Sequence, residues 1–312
     1  MKASAPILSS VVAVPAAAQA LRPALVRSWV SVYADLFKAR LTLLVLLTAW
    51  LGFYAGVRGA MDYLLMLHAL LGTALMAAGA SALNQWWERD LDGRMQRTQD
   101  RPLPSGRLRP RTVFWIGVAC SASGLAYLAW AVNPLTAVLG LASLLIYLLV
   151  YTPLKRRTWL NTIVGAVPGA LPPLMGWTAA RGELGREGWA LFTIQALWQM
   201  PHFMAIAWIY REEYAKAGFQ MLPVLDPEGR RTARHALGFT LALLAASALP
   251  FLWSMTGPVY AGVALLLGLT FVWHALQFSR HLTLARARQL FYVSILYLPL
   301  LLAALALDKW RF

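Results

Sequence analysis

Residues 63–84, YLLMLHALLGTALMAAGASALN, contain no charged side chain and run directly into residues 85–92, QWWERDLD, where Glu88, Asp90 and Asp92 follow in quick succession. A bilayer-spanning helix needs about 20 predominantly apolar residues, so the first stretch reads as a span and the second as its charged end. Working outward, similar apolar runs recur over residues 41–307. They place nine spans at about 41–57, 63–84, 113–132, 135–152, 161–180, 189–209, 236–255, 258–278 and 289–307. With 59% hydrophobic and 13% charged residues among 312, disordered, acidic-tail and collagen-like chains are excluded. The fold class is therefore an all-α polytopic membrane protein. The single cysteine, Cys120, cannot form an internal disulfide and is too little for a thiolate metal site; it lies in an apolar run and reads as packing.

The net charge of +15 would suggest nucleic acid in a soluble chain. In a membrane chain it reports topology, and no nucleic-acid partner is expected. Lysine and arginine in short loops stay on the cytoplasmic face. With the N-terminus inside, 23 of the 28 basic residues fall on that face, leaving Arg58, Arg181, Arg186, Lys309 and Arg311 outside. The sequence thus predicts a cytoplasmic N-terminus, a periplasmic C-terminus and residence in the cell inner membrane. Residues 1–40 form a cytoplasmic tail with an interfacial amphipathic helix near Trp29 to Lys38, and residues 41–312 the transmembrane domain. Lys2, the apolar stretch from Ile7 and Ala18-Gln19-Ala20 also mimic a cleaved signal peptide. Cleavage would move Arg22, Arg27, Lys38 and Arg40 outside, against the charge balance.

Nine of the thirteen acidic residues fall on the cytoplasmic side, and six of them form two groups beside the membrane: Glu88, Asp90, Asp92 and Asp100, then Glu212 and Glu213. Asn84, Glu88 and Asp92 are spaced i, i+4, i+8, so a continuing helix would stack their oxygens on one face. Adjacent carboxylates repel, and a hard divalent cation relieves that repulsion. With no Cys or His in the cluster, magnesium fits better than zinc. Arg94, Arg97 and Arg101 follow, and Lys155-Arg156-Arg157 close the fourth span; guanidinium forks and ammonium groups suit phosphate oxygens. Acid plus base reads as a magnesium diphosphate site, against the plainer reading of an ordinary solvated, Arg-rich loop.

The order Asn84-Gln85-Trp86-Trp87-Glu88-Arg89-Asp90-Leu91-Asp92, then Arg97-Thr98 and Arg101-Pro102-Leu103-Pro104-Ser105-Gly106, resembles the first aspartate-rich motif and trailing loop of UbiA-type intramembrane prenyltransferases. Within that superfamily it resembles the protohaem IX farnesyltransferases, or haem O synthases. Further support comes from Tyr151 to Thr158, Gly165 to Trp177, Trp198-Gln199-Met200-Pro201-His202-Phe203 and Ala217 to Val224. The resemblance spans residues 32–305. It departs at Glu88 and Glu213, where aspartate is expected, and at Lys38-Ala39-Arg40, which lacks a proline between the basic residues.

The resemblance implies a UbiA-type bundle of nine transmembrane helices with a cytoplasmic cap. It also implies farnesyl transfer from farnesyl diphosphate to a vinyl group of haem B, giving haem O and diphosphate with Mg2+ as cofactor. Asn84, Glu88, Asp92, Glu212 and Glu213 would hold metal. Arg97, Arg101, Lys155, Arg94, Arg156 and Lys216 would meet diphosphate, and His202, Trp198 and Phe203 would face haem. Contact with haem-copper oxidase biogenesis proteins belongs to the same expectation. Two alternatives stand beside it: a UbiA-type transferase acting on another aromatic acceptor, such as a quinone precursor, and a cation-coupled transporter. A transporter would place ionisable residues near the bilayer midplane, whereas these sit at helix ends.

Overall fold

Helix α3 (Tyr63–Asp92) is 30 residues long, about 45 Å at 1.5 Å per residue, against a hydrocarbon core of about 30 Å. Its apolar part therefore spans, and its final turns, from Asn84 to Asp92, project past the apolar layer. The computed structural model describes residues 28–309; the stretch from Lys2 to Ala20 that mimics a signal peptide lies outside the described residues.

In chain order the elements are α1 (Trp29–Leu36), α2 (Ala39–Gly56), α3, α4 (Pro110–Ala131), α5 (Pro134–Leu145), a π-helical turn (Ile146–Tyr151), α6 (Thr152–Leu154) and α7 (Asn161–Arg181). They continue with α8 (Arg186–Ile209), α9 (Arg211–Lys216), α10 (Leu222–Leu225), α11 (Arg230–Ala246), α12 (Leu249–Leu252), α13 (Pro258–Arg280) and α14 (Leu284–Leu307). Eight segments among the described residues are long and apolar enough to cross a membrane: α2, α3, α4, α5 through α6, α7, α11 through α12, α13 and α14. The expected span over 189–209 is α8, 24 residues long. Gln195, Gln199 and His202 make it more polar, and it packs against α7, α11 and α14 inside the bundle. The Gln199 amide stays satisfied there by donating to the carbonyls of Ala166 and Gln195, each at 3.1 Å.

The axis of the bundle is α7, whose glycines and prolines shape it. Pro168, Pro172 and Pro173 remove backbone donors from the helix interior, and neighbouring helices close over the segment. A Cβ at Gly176 would lie 1.9 Å from the Ala49 carbonyl oxygen, and one at Gly52 would lie 1.9 Å from that of Pro173. Two backbones thus touch where α2 crosses α7, which only small residues permit. Gly165 meets the Tyr151 ring and Gly169 meets the Gln199 amide, so α7 is close-packed on three sides.

At one end of the bundle, Tyr54 donates its hydroxyl to the Ala306 carbonyl at 3.1 Å, and the Lys309 ammonium donates to the carbonyls of Tyr54 and Val57. These bonds fasten α2 to α14. The other end carries both acidic loops. There α1 lies across α3: Val32 and Leu36 are buried with Ala82, Leu103, Leu108 and Val113, while Trp29 and Val30 remain exposed. The Gln85 amide donates to the carbonyls of Asp35 and Leu36 at 3.1 and 2.7 Å, capping the end of α1.

The glycine contacts give a controlled test. Gly176→Ala drives a methyl into backbone and should cost about 1–3 kcal/mol. Gly262→Ala in α13, where a Cβ meets nothing within 4 Å, should be neutral or stabilising by up to about 1 kcal/mol. Thermal melting of both variants in detergent checks the sign, and equal melting temperatures would contradict the packing account.

Candidate active site

Helical periodicity alone stacks Asn84, Glu88 and Asp92, and tertiary packing then buries them to 1%, 4% and 1% exposure. Two carboxylates at that depth require partners. Each group on the column meets a cation from a different element. The Lys155 ammonium donates to both Glu88 oxygens at 2.8 and 2.9 Å. The Arg101 Nη1 donates to both Asp92 oxygens at 2.7 Å. The Lys38 ammonium donates to Asn84 Oδ1 at 3.0 Å, and Asn84 Nδ2 in turn donates to Glu88 Oε2 at 2.9 Å and Thr152 Oγ1 at 3.3 Å. The extra methylene of Glu88, where the resemblance leads one to expect aspartate, belongs to a side chain that reaches both its own helix neighbour and Lys155.

Lys155 is held by the π-helical turn before it. Pro153 has no N–H to continue an α-helix, and the Thr152 N–H instead reaches back five residues to Tyr147. Tyr147 and Tyr151 consequently stack at 5.6 Å and 22°. The Lys155 ammonium lies 4.6 Å from the Tyr151 ring centre and 5.7 Å from that of Phe219. Burial is the largest influence and disfavours the Lys155 cation, but the Glu88 carboxylate, the Tyr151 and Tyr147 oxygens and the hydrogen bond to Glu88 together outweigh it, and the net pKa is well above the ordinary lysine value. Lys38 goes the other way. Burial, then the Arg101 and Lys155 charges, push it down to about 7, and the Glu88 and Asp92 carboxylates do not compensate.

Sequence reasoning did not include Lys38 among the site residues, although its basic neighbourhood was noted. It sits between α1 and α2 in the left-handed region, φ 48° and ψ 52°, a conformation costly for a non-glycine residue and often found at functional positions. Its ammonium also meets the Tyr147 hydroxyl at 3.3 Å. Tyr151 and Thr152 enter the sequence reading only as part of the Tyr151-to-Thr158 block, and neither they nor Tyr147 and Tyr214 are among its site residues, because no local spacing marks side chains that only the fold brings together.

The two acidic loops meet. The Arg97 N–H donates to Glu213 Oε2 at 3.3 Å and its guanidinium donates to the Tyr214 hydroxyl at 3.2 Å, while Met95 is buried with Ala217 and Phe219 beneath. Lys155 adds a backbone link, its carbonyl accepting from the Gln220 N–H at 2.7 Å. Arg94, Arg156, Glu212 and Lys216 are exposed and make no ion pair among the described residues. They do not join the buried cluster. Among the described residues no three Asp, Glu, His or Cys side chains converge as a metal-holding group, because lysine and arginine separate the carboxylates.

Trp198, His202 and Phe203 form a second group on α8. Trp198 and His202 stack at 4.9 Å and 23°, Phe203 lies tilted at 5.7 Å, and Phe291 of α14 flanks His202 at 5.1 Å. Trp208 is in the core against Phe278 and under Arg211.

Comparison with known proteins agrees with this geometry. The profile of the UbiA prenyltransferase family matches residues 45–301. A protoheme IX farnesyltransferase of Solibacter usitatus is 47% identical over 286 residues, covering 89% of this chain and 98% of the relative. The mitochondrial protoheme IX farnesyltransferase of Arabidopsis thaliana is 39% identical over 89% of this chain and 64% of its own length. Among solved structures, a digeranylgeranylglyceryl phosphate synthase superposes with TM-score 0.77 at 15% identity, covering 89% of this chain and 98% of that one. A UbiA homologue from Archaeoglobus fulgidus, bound to DMAPP and Mg2+, superposes with TM-score 0.66 at 21% identity over 88% and 98%. The profile alone covers well over half of the sequence, and the chain belongs to the UbiA prenyltransferase family.

Proposed function

We propose that this chain transfers the farnesyl group of farnesyl diphosphate to a vinyl group of haem B, giving haem O and diphosphate, with the α3 cluster receiving the diphosphate. One observation carries the reading. Asn84, Glu88 and Asp92 are buried at the polar end of a membrane helix, cross-paired with Lys38, Lys155 and Arg101, in a chain 47% identical to a protoheme IX farnesyltransferase.

The donor set suits magnesium: amide and carboxylate oxygens, with neither Cys nor His. Ammonium groups already lie 2.8–3.0 Å from the Asn84 and Glu88 oxygens, so these atoms face positive charge. Asn84, Glu88 and Asp92, with Glu213 from the facing loop, would hold the metal, while Glu212 stays exposed outside the cluster. Bound there, it supplies the positive charge that stabilises a departing diphosphate, and the Archaeoglobus homologue structures, bound to Mg2+ with DMAPP or GPP, support that assignment.

The chain's own residues would do the rest. Arg101, Lys155 and Lys38 would donate to diphosphate oxygens as the allylic C–O bond breaks, with Arg97 closing from the loop and Arg94, Arg156 and Lys216 drawing the anion in. The faces of Tyr147 and Tyr151, one of which already receives the Lys155 cation, would shield the allylic cation from water. The haem vinyl electron pair forms the new C–C bond, water adds to the cation left beside the pyrrole, and its proton passes to diphosphate. His202, Trp198 and Phe203 would orient the macrocycle.

This is a multi-pass membrane protein. The charge balance supports an inner-membrane location with the acidic loops cytoplasmic, residues 1–40 as a tail and 41–312 as the prenyltransferase domain. The resemblance supports contact with haem-copper oxidase biogenesis proteins.

Incubating purified protein with haem B, farnesyl diphosphate and magnesium should yield, by mass spectrometry, a haem carrying the hydroxyethylfarnesyl arm; prenylation of a quinone precursor in place of haem would overturn the acceptor assignment. Asp92→Asn should slow diphosphate release by about 100-fold or more while leaving helical content intact, and unchanged turnover would remove Asp92 from the site. Lys155→Met leaves Glu88 buried without its cation and should destabilise the protein by about 3–5 kcal/mol. Arg156→Met, at an exposed position, should leave the melting temperature unchanged.

A further inference from the structure

The contact between α8 and α14 settles which nitrogen of His202 carries the proton. The Ser294 side chain is fully buried. Its Oγ lies 2.5 Å from the Phe291 carbonyl and 2.7 Å from His202 Nδ1. A carbonyl has no proton to give, so the single hydroxyl proton of Ser294 must point at Phe291. Its oxygen then faces the ring with lone pairs, and Nδ1 must be the donor. Because a neutral imidazole carries one N–H, Nε2 is left with a free lone pair. Among the described residues Nε2 has no hydrogen-bond partner, and it is absent from the polar atoms sealed off without one.

The ring is also fixed in plane. Trp198 stacks on one side, Phe291 flanks it, and the Trp198 Nε1–H donates to the Ser294 carbonyl at 2.7 Å. One residue of α14 therefore holds both rings of α8, by its hydroxyl and by its carbonyl. Pro201 and Pro299 lie within these two helices, and each removes a backbone bond near the contact, which leaves side chains to determine the local geometry.

We propose that Ser294 is a positioning residue for the acceptor: it holds His202 as the Nδ1–H tautomer so that Nε2 presents its lone pair to the haem iron. A metal-ligating histidine commonly donates its other N–H to a fixed oxygen, and that partner sets tautomer and orientation. The inference rests on the reading of His202 as a haem-side residue, and its test separates the two. In 15N-histidine-labelled protein in detergent, without haem, the His202 signals, assigned by their loss in His202→Ala, should show a protonated Nδ1 and an unprotonated Nε2. Ser294→Ala should shift that pattern and weaken haem B affinity by about 10- to 100-fold, with farnesyl diphosphate affinity unchanged; Ser294→Thr, which keeps the hydroxyl, should restore both. An unprotonated Nδ1 in the parent protein overturns the proposal even where the variants do not fold. So does a Ser294→Ala protein with parental 15N signals and haem affinity. If instead His202→Ala leaves the haem Soret band and iron–histidine stretch unchanged, ligation by His202 falls, and the nitrogen pattern still decides what Ser294 does to the ring.

Discussion

Two carboxylates and an amide buried at the end of one membrane helix impose the main constraint on this structure. Glu88 and Asp92 could not stay charged at 4% and 1% exposure without close cations. The cations come from elsewhere in the chain: Arg101 from the loop after α3 for Asp92, and Lys155 from just after the π-helical turn for Glu88, while Lys38, from before the first span, meets the Asn84 amide. Polar pairing therefore draws three separate segments to one point. The function we propose rests on the same arrangement. In that proposal, groups that balance one another in the free protein would exchange partners with a polyanion and its counter-cation.

The remainder of the bundle holds the helices around that point in place. Helix α7 touches α2 backbone to backbone through Gly52 and Gly176, leaving little freedom for slippage. At the opposite end Lys309 and Tyr54 tie the first long helix to the last. Between the ends, the polar residues of α8 have defined partners: Gln199 bonds the Ala166 carbonyl of α7 and the Gln195 carbonyl of its own helix, while Trp198 and His202 bond Ser294. Polar side chains at membrane depth are costly unless satisfied. Their satisfaction here orders the Trp198 and His202 rings.

Much of this was legible in the sequence, for physical reasons. Span length, charge asymmetry and the i, i+4, i+8 spacing of Asn84, Glu88 and Asp92 are one-dimensional consequences of the bilayer and of helical geometry, and α3 carries all three onto one buried face. What stayed hidden depends on the third dimension. Lys38 reaches Asn84 only because the chain turns through a left-handed conformation between α1 and α2. Tyr147 and Tyr151 become neighbours of the cluster because Pro153 converts the end of the α5 segment into a π turn. Conversely, Arg94, Arg156, Glu212 and Lys216 have the right charge in the right loops, yet they point outward, since a charge pattern does not say which side of a loop faces the core. The span over 189–209 was legible by length, while its interior position explains why it is more polar than the others.

The central claim is that Glu88 and Lys155 act as one unit in receiving the diphosphate. A double-mutant cycle on farnesyl diphosphate affinity, measured calorimetrically with magnesium and without haem, tests it most directly, using Glu88→Gln, Lys155→Met and the pair. The account predicts weakened binding in each single variant and a double variant short of their sum, with a coupling of about 0.5–3 kcal/mol. Losses that add to within about 0.5 kcal/mol, or affinities equal to that of the parent protein, would contradict it.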